Sequence, residues 1–209
     1  MEVLHFMNSK RLLDALVFGG GTMLRLCYEL NRYSVDLDFY FRQEIDNETY
    51  FQKLTRELGA RYRITDHRNK FHTILVELKG ASYPRRLKIE INKKVVTVYR
   101  PVIAFSPGST YQVMVNAITP EQMLLNKIAA LIDRKEIRDA FDVEFLLRRG
   151  MPFPDDPALA RQVLHCLSNF TDSDFRVKLG SLLPPREREY YRSNRFIFLE
   201  QRLKEQFSR

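Results

Sequence analysis

Asp36 and Asp38, in the run Arg32-Tyr33-Ser34-Val35-Asp36-Leu37-Asp38-Phe39, have the type and spacing to hold a divalent cation. Side chains alternate faces along a β-strand, so both carboxylates project to one side, roughly 6.5 Å apart along the backbone. From there they can lean onto one Mg²⁺ or share a pair of ions, while Leu37 and Phe39 point into a core. Upstream stands Phe18-Gly19-Gly20-Gly21-Thr22. Glycine lets backbone approach a triphosphate closely, and the free N–H groups of a helix opening near Thr22 favour anions. Each half is common by itself. Their order and separation carry the weight.

A second group lies far along the chain, in Lys127-Ile128-Ala129-Ala130-Leu131-Ile132-Asp133-Arg134 and Arg138-Asp139-Ala140-Phe141-Asp142. On one continuous helix Lys127, Arg134 and Arg138 would share a narrow stripe, because seven and eleven residues nearly equal two and three turns. Asp139 and Asp142 share another face and could orient the basic residues or a substrate hydroxyl. The bland reading is a solvated helix face, with Arg138 and Asp142 an ordinary i,i+4 pair worth only ~0.3–0.5 kcal/mol.

Together the two blocks resemble the AbiEii/AbiGii toxin family of the DNA polymerase β-like nucleotidyltransferase superfamily. That family's pattern runs Gly-Gly-Thr, an apolar helix, Arg-x-Ser-x-Asp-x-Asp, then a helical Lys, an Arg about seven residues later, and Arg-Asp-x-x-Asp. The resemblance is densest over 17–41 and 119–147. It implies that Asp36 and Asp38, with Glu90 as candidate third carboxylate, bind two Mg²⁺ (or Mn²⁺) ions, which in such sites sit ~3.5–4 Å apart. Gly20, Gly21 and Thr22 would hold the β- and γ-phosphates of an NTP. Lys127, on one basic stripe with Arg134 and Arg138 facing the carboxylates, would counter charge on the pyrophosphate, while Asp139 and Asp142 would orient these basic residues or a substrate hydroxyl. Arg32 and Ser34 could tether phosphate or acceptor, or equally anchor a loop. The implied acceptor is a ribose hydroxyl of RNA, transfer RNA being a described target class. The implied setting is a type IV toxin–antitoxin or phage-defence system with a cognate antitoxin.

The elements that must position these residues read as an α+β fold: a mixed sheet flanked by helices, with a helical C-terminal region. Residues 1–16 look helical, Leu16 to Phe18 a short buried strand, and Thr22 to Leu30 a helix. Val35 to Phe41 is the carboxylate strand. Glu48 to Leu58 is an amphipathic helix with Gly59 as terminator. Strands follow at 62–65, 71–78 and 86–92, with turn residues at Gly80 to Pro84. In the last strand Leu87, Ile89 and Ile91 share one face, Lys88 and Glu90 the other. Glu90 can be a third metal carboxylate or an exposed edge charge; Glu77 is a weaker competitor.

Residues 95–119 read as a strand-rich connector broken by Pro101 and Pro107-Gly108. Thr119-Pro120-Glu121 opens a helix with a hydroxyl cap and a first-turn proline. It runs to Arg149, with a break marked near Asp133–Glu136 and Gly150 closing it. Residues 151–157 form a linker, followed by helical segments at Ala158–Asn169 and Glu187–Phe207. The division expected is a catalytic domain over 1–118 and a helical region over 119–209 that completes the active site.

Composition sets outer bounds. The chain has 209 residues, 44% hydrophobic and 12% aromatic, as folded globular proteins do. No segment approaches the ~18 apolar residues of a membrane span. The start lacks a secretory pattern, and Cys27 and Cys166 read as buried free thiols, so a cytoplasmic protein with no membrane contact is expected. The net charge of +8 raises the local concentration of polyanions. Tyr190, Tyr191, Phe196 and Phe198 among several arginines could stack bases, though a packed C-terminal helix is the commoner use of such a pattern. His5, His67, His72 and His165 show no metal-ligand spacing, and no nucleophilic triad is evident. Two rival functions share the fold: an NTP- or GTP-binding regulator without transfer, and nucleotidylation of a protein or small molecule.

Overall fold

Four consecutive buried residues, Leu16-Val17-Phe18-Gly19, form strand β1 (Leu16–Gly19), an interior strand with a neighbour on each side. On one side β2 (Leu37–Phe41) runs antiparallel; on the other β7 (Val113–Ile118) runs parallel. The structure, a computed structural model, describes residues 1–80 and 86–207. Its contacts divide the chain into two compact units, one of Met1–Glu29 with Ser34–Thr119, the other of Leu30–Tyr33 with Pro120–Arg209.

The first unit is built on a seven-stranded mixed sheet among the described residues. Besides the three strands above it contains β3 (Arg63–Asn69), β4 (Thr73–Lys79), β5 (Arg86–Val95) and β6 (Tyr99–Ala104). The order is β3-β4-β5-β2-β1-β7-β6, with β2 and β5 parallel. Alternation decides the faces. In β2, Leu37, Phe39 and Phe41 are buried while Asp38 and Tyr40 are half-buried. In β5, Ile89 and Ile91 are buried while Lys88 and Glu90 are half-buried. Each fully buried Phe or Ile contributes about 1.5–3 kcal/mol of burial, which fixes the register, because a one-residue slip would put these side chains in water.

Helices α1 (Glu2–Ser9), α2 (Gly20–Tyr28) and α3 (Asn47–Gly59) belong to this unit. Asp46 caps α3 by accepting from the amides of Glu48 and Thr49. Several expectations are corrected here. The first helix stops at Ser9, where Arg11 takes φ 55°, and only a short 3₁₀ turn, Leu13–Ala15, follows. β2 starts at Leu37, so Asp36 lies one residue ahead of the strand. Gly59 ends α3 from inside it, with right-handed Ala60 as the cap. Pro101 does not break the connector: it sits in β6, an edge strand where a missing N–H costs no ladder bond. The turn read at Gly80–Pro84 falls mostly outside the described residues.

The second unit is helical: α4 (Pro120–Arg134), α5 (Ile137–Arg148), α6 (Pro157–Ser168), a π-helical turn Asp174–Leu179, α7 (Pro185–Asn194) and α8 (Ile197–Phe207). α4 and α5 are separate, because Lys135 adopts φ 53° and Glu136 is extended before α5. Gly150 closes the α5 end at φ 84°, a left-handed position that suits glycine. The C-terminal helix is likewise two, broken at Arg195 with φ 49°. Glu144 ties these helices together. Fully buried, it accepts from Tyr191 Oη at 2.9 Å, Arg148 Nε at 3.0 Å and the Leu199 amide at 3.2 Å. Burial pushes its carboxyl up, against the pull of those three donors. With Tyr191 and Phe196 both buried, half of the aromatic cluster near the C-terminus is core.

Candidate active site

The glycine turn and Asp38 meet in the first unit through strand register. Gly19 on β1 lies opposite Asp38 on β2, and Asp38 lies beside Glu90 on β5. Gly20, the first residue of α2, has φ 72°. A Cβ built there would lie 2.1 Å from Asp38 Oδ2 and 2.9 Å from Asp38 Cβ. The Asp38 side chain therefore occupies the space that any side chain at position 20 would need. Two requirements, a left-handed backbone and an empty Cβ position, converge on glycine. The carboxylate thus packs against the backbone that opens α2, where helix amides offer N–H groups to anions. Thr22 is buried and its Oγ1 donates to Ser34 Oγ at 2.9 Å, so both hydroxyls of the two motif halves meet.

Lys88 stands on the same polar face, ion-paired with Glu90. Donation of a hydrogen bond to Glu90 raises the lysine above its ordinary value; burial opposes this, and the charges of Glu90, Asp36 and Asp38 support it. A fixed cation thus already answers this acidic face. Nothing in the local spacing of β5 singled it out beyond its place on the polar side.

The donor chemistry fits a hard divalent cation. Mg²⁺ is ordinarily held by one or two carboxylates together with substrate phosphates, and Asp38 packs beside amides suited to those phosphates. Among the described residues no group of three His, Cys, Asp or Glu side chains is gathered to hold a metal ion, and Glu90, though beside Asp38 in register, is engaged by Lys88.

The second unit gathers the other block around two fully buried aspartates. Lys127 Nζ lies 3.1 Å from Asp139 Oδ1 and 2.7 Å from Asp142 Oδ2. Arg134 Nη2 reaches Asp139 at 2.9 Å. Arg32 grips Asp142 with both prongs, Nε at 2.6 Å and Nη2 at 2.7 Å, and also donates to the Tyr33 carbonyl. Burial alone would push Asp142 up, but Lys127 and Arg32 outweigh it and hold the carboxyl below its ordinary value. Arg32, Lys127 and Arg134 against Asp139 and Asp142 leave one positive charge in excess.

This geometry sorts the sequence readings. Asp139 and Asp142 do orient basic side chains. Arg32 stands as the loop anchor: it is buried and spends its fork on Asp142. Asp142 is fully buried, and it is ion-paired with Arg32 and Lys127. Arg138 is exposed and departs from the expected stripe, because the break at Lys135 starts α5 on a new phase; Arg32 and Lys127 take the place it was expected to fill on Asp142.

A glycine turn packed on a strand carboxylate, within a mixed sheet of this order, defines a nucleotidyltransferase-type fold. The family model described as nucleotidyl transferase AbiEii toxin, type IV toxin–antitoxin system, matches residues 6–206. The chain belongs to that family and is a nucleotidyltransferase. Two solved structures share the fold. The protein JHP933 from Helicobacter pylori is 21% identical with TM-score 0.58, over 98% of this chain and 92% of that one. MenT4, a nucleotidyltransferase toxin from Mycobacterium tuberculosis, is 17% identical with TM-score 0.53, over 96% and 86%. No curated protein matches. Among the described residues no helix is long and apolar enough to cross a membrane.

Proposed function

We propose that this protein transfers a nucleoside monophosphate from an NTP to a ribose hydroxyl of RNA, of the transfer-RNA type. It does so as the toxin of a type IV toxin–antitoxin or phage-defence pair in the cytoplasm. The observation that carries this reading is the packing of Asp38 against Gly20 at the opening of α2. Asp36 and Asp38 are the ligands for Mg²⁺ or Mn²⁺. Bound there, the ion supplies positive charge to the phosphate oxygens of the NTP. The amides of Gly20, Gly21 and Thr22 hold the β- and γ-phosphates, and the Thr22–Ser34 hydrogen bond keeps both hydroxyls in place beside them. The acceptor hydroxyl gives its proton to water and attacks the α-phosphorus, the bond to the bridging oxygen breaks, and pyrophosphate departs.

Lys127 and Arg134 carry the proposal for the pyrophosphate's charge, on the family pattern and on the excess positive charge of their cluster. Asp139 and Asp142 are positioning residues for these cations. An antitoxin is the partner the family implies.

Incubation with each labelled NTP, Mg²⁺ and total RNA tests the reading. Label should enter an RNA band and disappear with a chelator. Asp38→Ala should lower incorporation by at least about a thousandfold, the scale of losing a group that acts on charge developing in the transition state, while the protein still folds. Label entering protein would replace RNA by a protein acceptor. NTP binding without turnover would leave a regulator.

A further inference from the structure

The β3–β4 hairpin ends in the most exposed large apolar side chain described: Phe71 is 87% exposed. The turn is closed by the Lys70 amide donating to the Thr73 carbonyl at 2.9 Å, so the ring is presented by a tight hairpin. His72 meets it edge-on, with centroids 4.5 Å apart and planes at 85°. The end of β5 lies alongside, tied by the Lys93 amide to the His72 carbonyl at 2.9 Å. Lys70 and Lys94 are exposed and Lys93 half-buried, and none of the three has an ion-pair partner among the described residues. Of the nearby acids, Asp66 is paired with Arg68, and Glu48 accepts from Asn69 at 2.7 Å. An unsheathed aromatic ring set among unpaired cations is the arrangement that stacks a base while neighbouring charges take the flanking phosphates.

We propose that this hairpin tip docks the single-stranded part of the RNA acceptor, an inference that rests on the function proposed above. Register sets the reach. Asp38, Glu90 and Leu75 form one row across β2, β5 and β4. From that row the tip is two strand spacings across and four residues along β4, Leu75 to Phe71. That is about 16 Å at ~4.8 Å per strand and ~3.3 Å per residue. At ~3.4 Å per stacked nucleotide, an acceptor end at Asp38 would bring a base about five nucleotides back to Phe71.

The test uses the full chain and a short fluorescein-labelled single-stranded RNA of mixed sequence. Phe71→Ala should weaken RNA binding about tenfold, the scale of losing one stacked base, and leave NTP binding unchanged. Changing Lys70, Lys93 and Lys94 together to Ala should lower the salt slope of RNA binding by about two, at ~0.7 per phosphate contact on a single strand. Phe71 is solvent-facing, so the variant should fold, which a thermal melt checks. Unchanged RNA affinity in Phe71→Ala overturns the inference, and so does weakening confined to capture of an acidic protein. If wild type labels RNA and Phe71→Ala labels it equally well, the docking surface fails while the enzymatic reading stands. If RNA binding depends on Phe71 but no RNA is labelled, the acceptor assignment fails and the surface stands.

Discussion

The two blocks of the family pattern reach their places by opposite physics. In the sheet unit Asp36, Asp38 and Glu90 stay half-buried, Asp38 and Glu90 aligned by strand register and Asp38 fitted over the side-chain-free position of Gly20. In the helical unit Asp139 and Asp142 are wholly withdrawn from water and held by Arg32, Lys127 and Arg134. A carboxylate that must meet a cation and substrate from outside keeps its access. One that orients a lysine can be sealed, provided its charge is matched. The same residue type is therefore left within reach of water in one unit and sealed by ion pairs in the other.

The largest expected effect follows directly. Asp142→Ala removes the counter-charge from a buried guanidinium and ammonium, and breaking such a buried pair from one side costs about 3–5 kcal/mol. Asp38→Asn removes a charge that water already reaches, and its cost should stay within about 0.5 kcal/mol. Urea unfolding of both variants measures the contrast. Equal costs would erase the distinction between an accessible and a sealed carboxylate.

A smaller effect sharpens the other side. Gly20→Ala meets strain twice, from the positive φ and from a Cβ driven into Asp38. The left-handed backbone alone costs on the order of 1–3 kcal/mol. The displaced carboxylate should lower transfer far more than stability, so that kcat falls while the melting temperature drops by a few degrees. An active Gly20→Ala would show that Asp38 does not need the place it occupies over the α2 opening.

How much of this could be read from residues alone follows the same divide. Local periodicity reaches two to four residues, and that is enough to put Asp36 with Asp38, to place the glycine turn before α2, and to start α4 at Pro120. It is also enough to set Leu37 and Phe39 inward and Glu90 outward. Pairs set by tertiary packing leave no such mark. Arg32 and Asp142 are 110 positions apart, so the anchoring of Arg32 was one of two open readings. The break marked near Asp133–Glu136 falls at Lys135, but Arg195 takes positive φ without being glycine, and no propensity argument breaks a helix at arginine. Pro101 misled because a proline interrupts a central strand but not an edge one, and edge position is a property of the whole sheet. Lys88 was placed on the polar face of its strand but given no role, because that role depends on Asp36 and Asp38 arriving from elsewhere in the chain.

Acid offers the finest test, because it titrates the sealed charge without a cavity. Asp142 has a folded-state value held below its ordinary 3.8, so the unfolded chain binds the proton more readily. The stability it contributes is then fully present above about pH 4 and is lost as pH falls through the depressed folded value. Asp142→Asn keeps the shape but cannot titrate. The gap in unfolding free energy between wild type and this variant should therefore be widest near neutrality and narrow steadily below pH 4. Asp174, held at about 2 chiefly by its hydrogen bond to Lys178, titrates in both proteins and cancels from the difference. A gap that stays constant into acid would mean that the folded carboxyl titrates as the unfolded one does, so that Lys127 and Arg32 do not hold it below its ordinary value.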